Sequence, residues 1–218
     1  MARPATTESA RWSLLRAGLS VGGCALGVLG LVLATMYWTE PRMSKNREWD
    51  RLAQVREIAG SRIAQPDALR SLRLPPAGEL HQNSPFNAYQ VVVDDRVETV
   101  IVPAVAPDGY SGRIELLVGI DVLGAIVAVR VTRHHETPGL GDRIDRARSA
   151  WITQFDGHSL GSPPEGRWNV RKDGGDFDQI TGATLTPRAV IHAVAGALKY
   201  FERHRVLLLT PAPQDAVK

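Results

Sequence analysis

The longest pattern along the chain is an apolar run from Ala17 to Trp38, AGLSVGGCALGVLGLVLATMYW, with Ser20 and Thr35 as its mild interruptions. About 20 such residues cross a bilayer's hydrocarbon as a helix, because lipid offers no partners for backbone polar groups. Tyr37 and Trp38 stand at its far end, where aromatic rings favour the interface. The run is longer than the apolar core of a cleaved signal peptide, and no small-x-small cleavage site follows it. VGGC, ending at Cys24, loosely resembles a lipoprotein cleavage site, but the apolar run continues well past it. The pattern predicts an uncleaved transmembrane helix over 17–38, preceded by an N-terminal stretch, 1–16. Gly18, Gly22, Gly23, Gly27 and Gly30 offer small surfaces for close packing against other membrane helices.

Beyond the run the period changes. From Glu48 to about Ser71 the chain is polar and Arg-rich, with Leu52, Val55, Ile58 and Ala59 at helical spacing. This predicts a juxtamembrane helix and linker over 39–85, lying on the domain that follows. LPPAGEL and NSPFN break the chain. Strand patterns follow: YQVVV from Tyr89, then ETVIVPAVA from Glu98, where Pro103 implies an edge or a bulge. APDGYSG reads as a turn. GRIELLVGID (Gly112–Asp121) and AIVAVRVTRH read as a hairpin turning near Asp121 to Gly124. In its second strand Ile126, Ala128, Arg130 and Thr132 share one face, and Val127, Val129 and Val131 the other. A helix is expected around Ile144 to Phe155, and RWNV is a short strand candidate. A last helix begins near Thr186, read as an N-cap with Pro187 at the first helical position. Val190, Ile191, Val194, Ala197, Leu198 and Phe201 trace its apolar stripe. Hairpin strands with separate helices predict an α+β class: one transmembrane helix plus a mainly antiparallel sheet domain with packed helices over 86–206, and a C-terminal tail, 207–218.

Composition narrows the partners. The net charge is +3 and the basic residues are scattered among acids, so no nucleic-acid stripe stands out. Cys24 is the sole cysteine, which excludes an intrachain disulfide and a cysteine-based zinc or iron–sulfur site. Arg3, Arg11 and Arg16 precede the apolar run, and Arg42, Lys45, Arg47 and Arg51 follow it, so flanking charge does not fix its orientation.

Candidate chemistry concentrates in three stretches. Thr181-Gly182-Ala183-Thr184 places small and hydroxyl residues before a helix whose first turn presents unpaired N–H groups, an arrangement suited to a phosphate. The same pattern also makes an ordinary capped turn, and it is neither a Gly-Lys-Ser phosphate loop nor a dinucleotide fingerprint. RHHETPGLGDR (Arg133–Arg143) offers His134, His135 and Glu136. Along a strand His135 faces away from the other two, so one metal ion would need a bend. A cofactor wall is the better functional reading; exposed histidines before a Pro-Gly turn are the plain one. Asp173, Asp176 and Asp178 lack the terminal glutamate of a calcium loop.

APDGYSG, LLVG, RVTRHHETPGLGDRI, KDGGDFDQITGAT and TPRAV together resemble the G subunit of the bacterial Rnf (Rsx) electron-transport complex, and more distantly the C subunit of the sodium-pumping NADH:quinone oxidoreductase. The likeness runs from the apolar run to the last helix and is strongest from Ala106 to Val190. It implies a flavin mononucleotide (FMN) joined through its phosphate to a threonine in the pattern Asp-x-x-Ser/Thr-Gly-Ala-Thr. That pattern falls on Asp178, Thr181, Gly182, Ala183 and Thr184, with Thr184 the acceptor and Thr186 just beyond it. It also implies a flavin transferase using FAD outside the cytoplasm, hence a periplasmic domain, a cytoplasmic N-terminus and an inner-membrane location among the other complex subunits. The function implied is electron relay in a redox-driven Na⁺- or H⁺-translocating complex linking ferredoxin and NAD. His135, Glu136, Thr137, Gly139 and Leu140 are expected to wall the flavin ring, with Tyr110 a further candidate. No residue is assigned a catalytic or metal-binding role. The rival expectations are a membrane-anchored phosphate-binding module without redox chemistry, and a metal-dependent hydrolase using His134, His135 and Asp178.

Overall fold

The computed structural model describes residues 7–60 and 68–213. The chain divides into two units, Met1–Trp49 and Asp50–Lys218. Helix α1 spans Thr7–Ala59. In the first unit its side chains from Gly18 to Leu33 are all exposed, Leu19, Val21, Leu26 and Leu33 among them. The Thr35 hydroxyl donates back to the carbonyls of Leu31 and Val32, which satisfies it within the helix. Among the described residues no helix is long and apolar enough to cross a membrane. The side chains of Ala17, Ala34, Tyr37 and Trp38, including the expected aromatic interface pair, lie outside the described ones.

The second unit is built on one antiparallel sheet in the order β1 (Leu69–Leu74), β2 (Phe86–Val93), β3 (Arg96–Gly109), β4 (Gly112–Asp121) and β5 (Ile126–Arg133). The expected hairpin is present, with β4 and β5 joined through Asp121–Gly124. There the Asp121 carboxylate accepts from the N–H groups of Leu123 and Ala125. β4 alternates: Ile114, Leu116, Val118 and Ile120 face one core and Leu117 the other. Pro103 sits where β3 pairs with β4 only, past the last β2 partner at Ile101, so its missing N–H is tolerated.

Each face of the sheet is covered. Helix α2 (Leu185–Arg203) packs mainly across β3, and all six residues of its expected stripe are buried. The other face receives the end of α1. Leu52, Val55, Ile58 and Ala59 form a second apolar cluster with Leu69, Tyr89, Val91, Ile101, Leu117 and Ala128. Gly119 permits this approach: a Cβ there would lie 2.3 Å from Ile58 Cγ2. Gln54 Nε2 donates to the Val131 carbonyl, and Glu57 pairs with Arg130 at 2.8 Å.

Several expectations are corrected. The helical pattern from Glu48 ends at Ala59, and Leu69–Leu74 is a strand. LRSLRL shows little apolar alternation because β1 is an edge strand with mostly half-buried positions. Ile126 faces the α2 core with Val129 and Val131, because a register shift between Gly119 and Ile120 takes Val127 out of the ladder. No α-helix covers Ile144 to Phe155; short 3-10 turns occupy Gly141–Ile144 and Trp151–Phe155. RWNV is not a strand: its Arg167 ends a 3-10 turn at Glu165–Arg167, and its Val170 makes one parallel bridge to Phe177. Aromatic packing holds this irregular segment. Phe177 lies 5.0 Å from Phe155 and 4.8 Å from Trp168, ring centre to ring centre. The C-terminal segment is tied down through helix α3 (Arg205–Leu209). Buried Gln90 donates to the carbonyls of Leu208 and Thr210 and accepts from the Ala212 N–H.

Candidate functional site

The site lies at the end of the sheet where β3 turns into β4 and β5 runs out. Three segments meet there: the Tyr110-Ser111 turn, the loop after Arg133, and the N-terminus of α2. Glu136 joins them. It is 4% exposed; its Oε1 accepts from the Ser111 N–H at 3.0 Å, and its Oε2 accepts from the Thr186 hydroxyl at 2.6 Å. Two glycines make room for this carboxylate. A Cβ on Gly109 would come within 2.8 Å of Oε1, and one on Gly141 within 2.7 Å of Oε2. Glu136 was expected in a cofactor wall; the structure turns its carboxylate inward as a strut.

Thr186 is likewise displaced from its expected role. Helix α2 starts at Leu185 with Thr184 as its N-cap, and Thr186 is wholly buried against Glu136. Pro187 then occupies the third helical position, where its missing N–H is one of the first-turn groups that lack an intrahelical partner anyway. Thr184 is exposed, has φ −95° and ψ −32°, and its side chain makes no capping hydrogen bond. The segment before it is a turn closed by the Ala183 N–H donating to the Ile180 carbonyl at 3.0 Å. Gly182 takes φ +84° in that turn, a conformation that favours glycine. The turn is fixed from behind. Both backbone groups of Asp178 are held by the Trp151–Phe155 turn: Trp151 Nε1 donates to its carbonyl, and its N–H donates to Gln154, each at 2.7 Å. The Asp178 carboxylate points instead to Arg171, at 3.0 Å.

The loop over this turn runs Thr137 to Gly141, with Gly139 at φ +79° and the Leu140 N–H donating to the Thr137 carbonyl. Leu140 reaches the threonine segment: a Cβ on Gly182 would lie 2.8 Å from its Cδ2. The structure therefore brings together HETPGLG and TGAT, which are far apart in sequence. His135, Thr137, Gly139, Leu140 and Thr181 are exposed, Ala183 is half-buried, and Tyr110 on the adjoining turn is 69% exposed. His134 Nδ1 accepts from the Glu136 N–H at 3.2 Å. That bond and the Arg171 pair commit two of the three groups a hydrolase would need. Among the described residues no group of three His, Cys, Asp or Glu side chains is placed to hold a metal.

Some participants carried no sequence signal. Leu185, 48% exposed at the first position of α2, adds apolar surface at the start of the helix. Ser111, Gly109 and Gly141 serve Glu136 across the chain. Arg188 forks onto Asp173, which holds the Asp173 carboxyl below the usual carboxylate range and raises the guanidinium. Arg167 likewise holds the Asp176 carboxyl low. A cavity of about 620 Å³ lined by Val93, Asp94, Arg96, Val97, Glu98 and Val122 lies at the opposite end of the sheet and includes none of these residues.

A free hydroxyl at a helix start, small residues before it and an open face with apolar leucines fit a tethered phosphate with a flat ring. Residues 109–199 match the family model of the FMN-binding domain, which defines the class. At the level of the whole chain, the G subunit of the ion-translocating oxidoreductase complex of Pseudomonas aeruginosa is 44% identical over 203 residues, covering 92% of this chain and 94% of that protein. The protein of the same name from Escherichia coli K12 is 40% identical over 183 residues, 84% and 88% of the two chains. That of Vibrio atlanticus is 38% identical over 192 residues, 88% and 92%. The chain belongs to the family of G subunits of ion-translocating oxidoreductase complexes.

Proposed function

We propose that this chain is the electron-carrying subunit of a membrane-bound, ion-translocating oxidoreductase complex, and that it carries FMN in phosphoester linkage to Thr184. The observation that carries the reading is the Thr184 hydroxyl: exposed, uncommitted to capping, and set at the start of α2 beside the Thr137–Gly141 loop. An alcohol is a poor nucleophile at neutral pH without a base or metal to activate it. The described residues show no such partner at Thr184, so a separate transferase supplies the activation. In that reaction the Thr184 oxygen bonds to the phosphorus of the FMN half of FAD, AMP leaves, and the hydroxyl proton passes to the transferase.

The FMN ring would supply one- and two-electron redox chemistry. The chain's residues do the rest. The Leu185 and Thr186 amides, in the first turn of α2, would stabilise the ester's negative charge by about 0.3–1 kcal/mol at an exposed site. His135, Thr137, Gly139, Leu140 and Tyr110 offer one wall for the ring, with Glu136 bracing it from below. Residues 17–38 anchor the chain in the inner membrane as a single span, with residues 1–16 cytoplasmic and the sheet domain periplasmic. The end of helix α1 runs antiparallel to β5, with Gln54 near Val131 and Ile58 over Gly119.

The test is peptide mapping of protein from its native membrane. Denatured wild-type protein should stay yellow, with the mass of FMN less water on the peptide bearing Thr184. Thr184→Ala should lose both signals, and Thr181→Ala should keep them. An unmodified Thr184 peptide in active complex refutes the linkage, and a colourless wild type made with its transferase favours a non-redox binding module.

A further inference from the structure

The first turn of α2 is a poor phosphate cradle on its own. Leu185 and Thr186 offer their N–H groups, but Pro187 has none to give. A negative charge fixed at Thr184 therefore meets one amide fewer than at an ordinary helix start. The next side chain along the helix is Arg188. Thr184 already has helical dihedrals, so the four-residue spacing puts both on one face, with Cβ atoms about 5–6 Å apart.

Arg188 is not loose. Its Nε donates to Asp173 Oδ2 at 2.5 Å and its Nη2 to Oδ1 at 2.9 Å, with a third of the side chain exposed. Asp173 in turn ends a 3-10 turn, Arg171–Asp173, followed by Gly174 at φ +83°. The fork uses the Nε edge of the guanidinium and leaves Nη1 outside it. An isolated exposed ion pair contributes little to stability. Holding a long cationic side chain in one orientation is a different effect, because a pre-oriented guanidinium loses less freedom when it meets an anion.

We propose that Arg188, held in place by Asp173, is the cationic ligand of the phosphodiester at Thr184. Arg171 and Lys172 add positive charge around Asp176 and Asp173, partly offset by those carboxylates and by Asp178. The planar donor fork suits phosphate oxygens, and the charge-assisted bond replaces the donor that Pro187 lacks. This assignment rests on the Thr184 linkage.

The experiment uses full-length chain co-expressed with its transferase and purified in detergent, as wild type, Arg188→Ala, Arg188→Lys and Asp173→Asn. Intact mass reports attachment, and ³¹P NMR reports the surroundings of the phosphodiester. All four proteins should carry FMN. The phosphorus resonance should move by more than its line width in Arg188→Ala and lie between the extremes in Arg188→Lys and Asp173→Asn. Coincident resonances in all four overturn the assignment while leaving the linkage intact. If Arg188→Ala accumulates too little flavin, the other two variants decide, and resonances matching wild type again overturn it. An unmodified wild type overturns the linkage itself, and this assignment with it.

Discussion

Replacing Glu136 tests whether the floor of the site is built as described. Glu136→Ala removes the acceptor of the Thr186 hydroxyl, which is fully buried and out of reach of bulk solvent. A buried donor left unpaired costs about 1–3 kcal/mol. The Ser111 N–H also loses its acceptor, but Ser111 is exposed and water can serve it. The lost side-chain methylene adds about 0.8 kcal/mol, and removal of a desolvated charge works the other way. The net is a destabilisation of about 2 kcal/mol, or roughly 4–8 °C in Tm for a domain of this size. Glu136→Gln should cost less, about 1 kcal/mol, because its amide oxygen can still accept from Thr186 while solvent reaches the Ser111 side. Thr186→Val leaves a buried carboxylate oxygen unpaired and should cost about 1.5–3 kcal/mol. The assay is urea unfolding of the flavin-free full chain in detergent, followed by tryptophan fluorescence; Trp168 is buried in the aromatic cluster that underlies the site. A double-mutant cycle between Glu136→Gln and Thr186→Val should give a coupling of about 1 kcal/mol. Additive effects, or a Glu136→Ala protein as stable as wild type, would refute the strut.

Three further outcomes follow from the same geometry. Gly141→Ala places a methyl 2.7 Å from Glu136 Oε2 and 2.9 Å from its Cβ, so it should destabilise by about 1–3 kcal/mol in the same urea assay. Gln90→Leu removes the amide that binds Leu208, Thr210 and Ala212, and should speed hydrogen exchange at the Ala212 N–H while leaving the β4–β5 amides protected. The carboxyls should titrate in order, followed by ¹³C NMR. The Arg188 hydrogen bond holds Asp173 low and the Arg167 hydrogen bond holds Asp176 low, whereas burial pushes Asp156 up against the pull of Arg130 and Arg146. Asp156 should therefore protonate first on acidification. The stability from Asp173 and Asp176 is present above their unfolded pKa, about 3.9, and is lost as pH falls through their lower folded values. The Asp156 contribution runs the other way, present below its unfolded pKa and lost as pH rises through its raised folded value. An Asp173 carboxyl that titrates above Asp156 would contradict the fork.

The parts legible in the sequence are those where apolar spacing alone dictates the element. The β4–β5 hairpin and its turn stand as expected apart from the register shift that moves Ile126 to the other face, and the α2 stripe buries a periodic set against one core. The misread parts depend on partners remote in sequence. A helix is expected over Ile144 to Phe155, yet Phe155 packs on Trp168 and Phe177 from a later loop, and the short turns that carry Ile144 and Ile152 pack on α2 and β5. Thr186 followed by Pro187 has the local form of a cap. The competing bond comes from Glu136, fifty residues away in the chain, and it draws Thr186 inward and leaves Thr184 at the start of the helix. That exchange leaves the hydroxyl of Thr184, the proposed acceptor, without a capping bond. Gly109 and Gly141 read as turn residues, because the carboxylate they accommodate is invisible until β3, β5 and α2 converge.

The openness of the site yields a last prediction about what the proposed ester tether would contribute. His135, Thr137, Gly139 and Leu140 are exposed, Tyr110 projects from the adjoining turn, and the 620 Å³ cavity lies at the far end of the sheet. One open wall buries far less than the 70–90% of a ligand's surface that a closed pocket covers. Contacts of that kind do not retain a soluble flavin against dilution. A short tether changes the requirement, because it holds the ring at an effective concentration on the order of millimolar, so weak contacts suffice to keep it seated. Thr184→Ala chain should accordingly bind free FMN only weakly, with a Kd no tighter than about 100 μM to 1 mM, a range in which a millimolar effective concentration still fills the site. Fluorescence quenching of free FMN during titration with the variant measures this directly. Submicromolar binding would show that the walls close around the ring without the ester, and the argument from openness would fail.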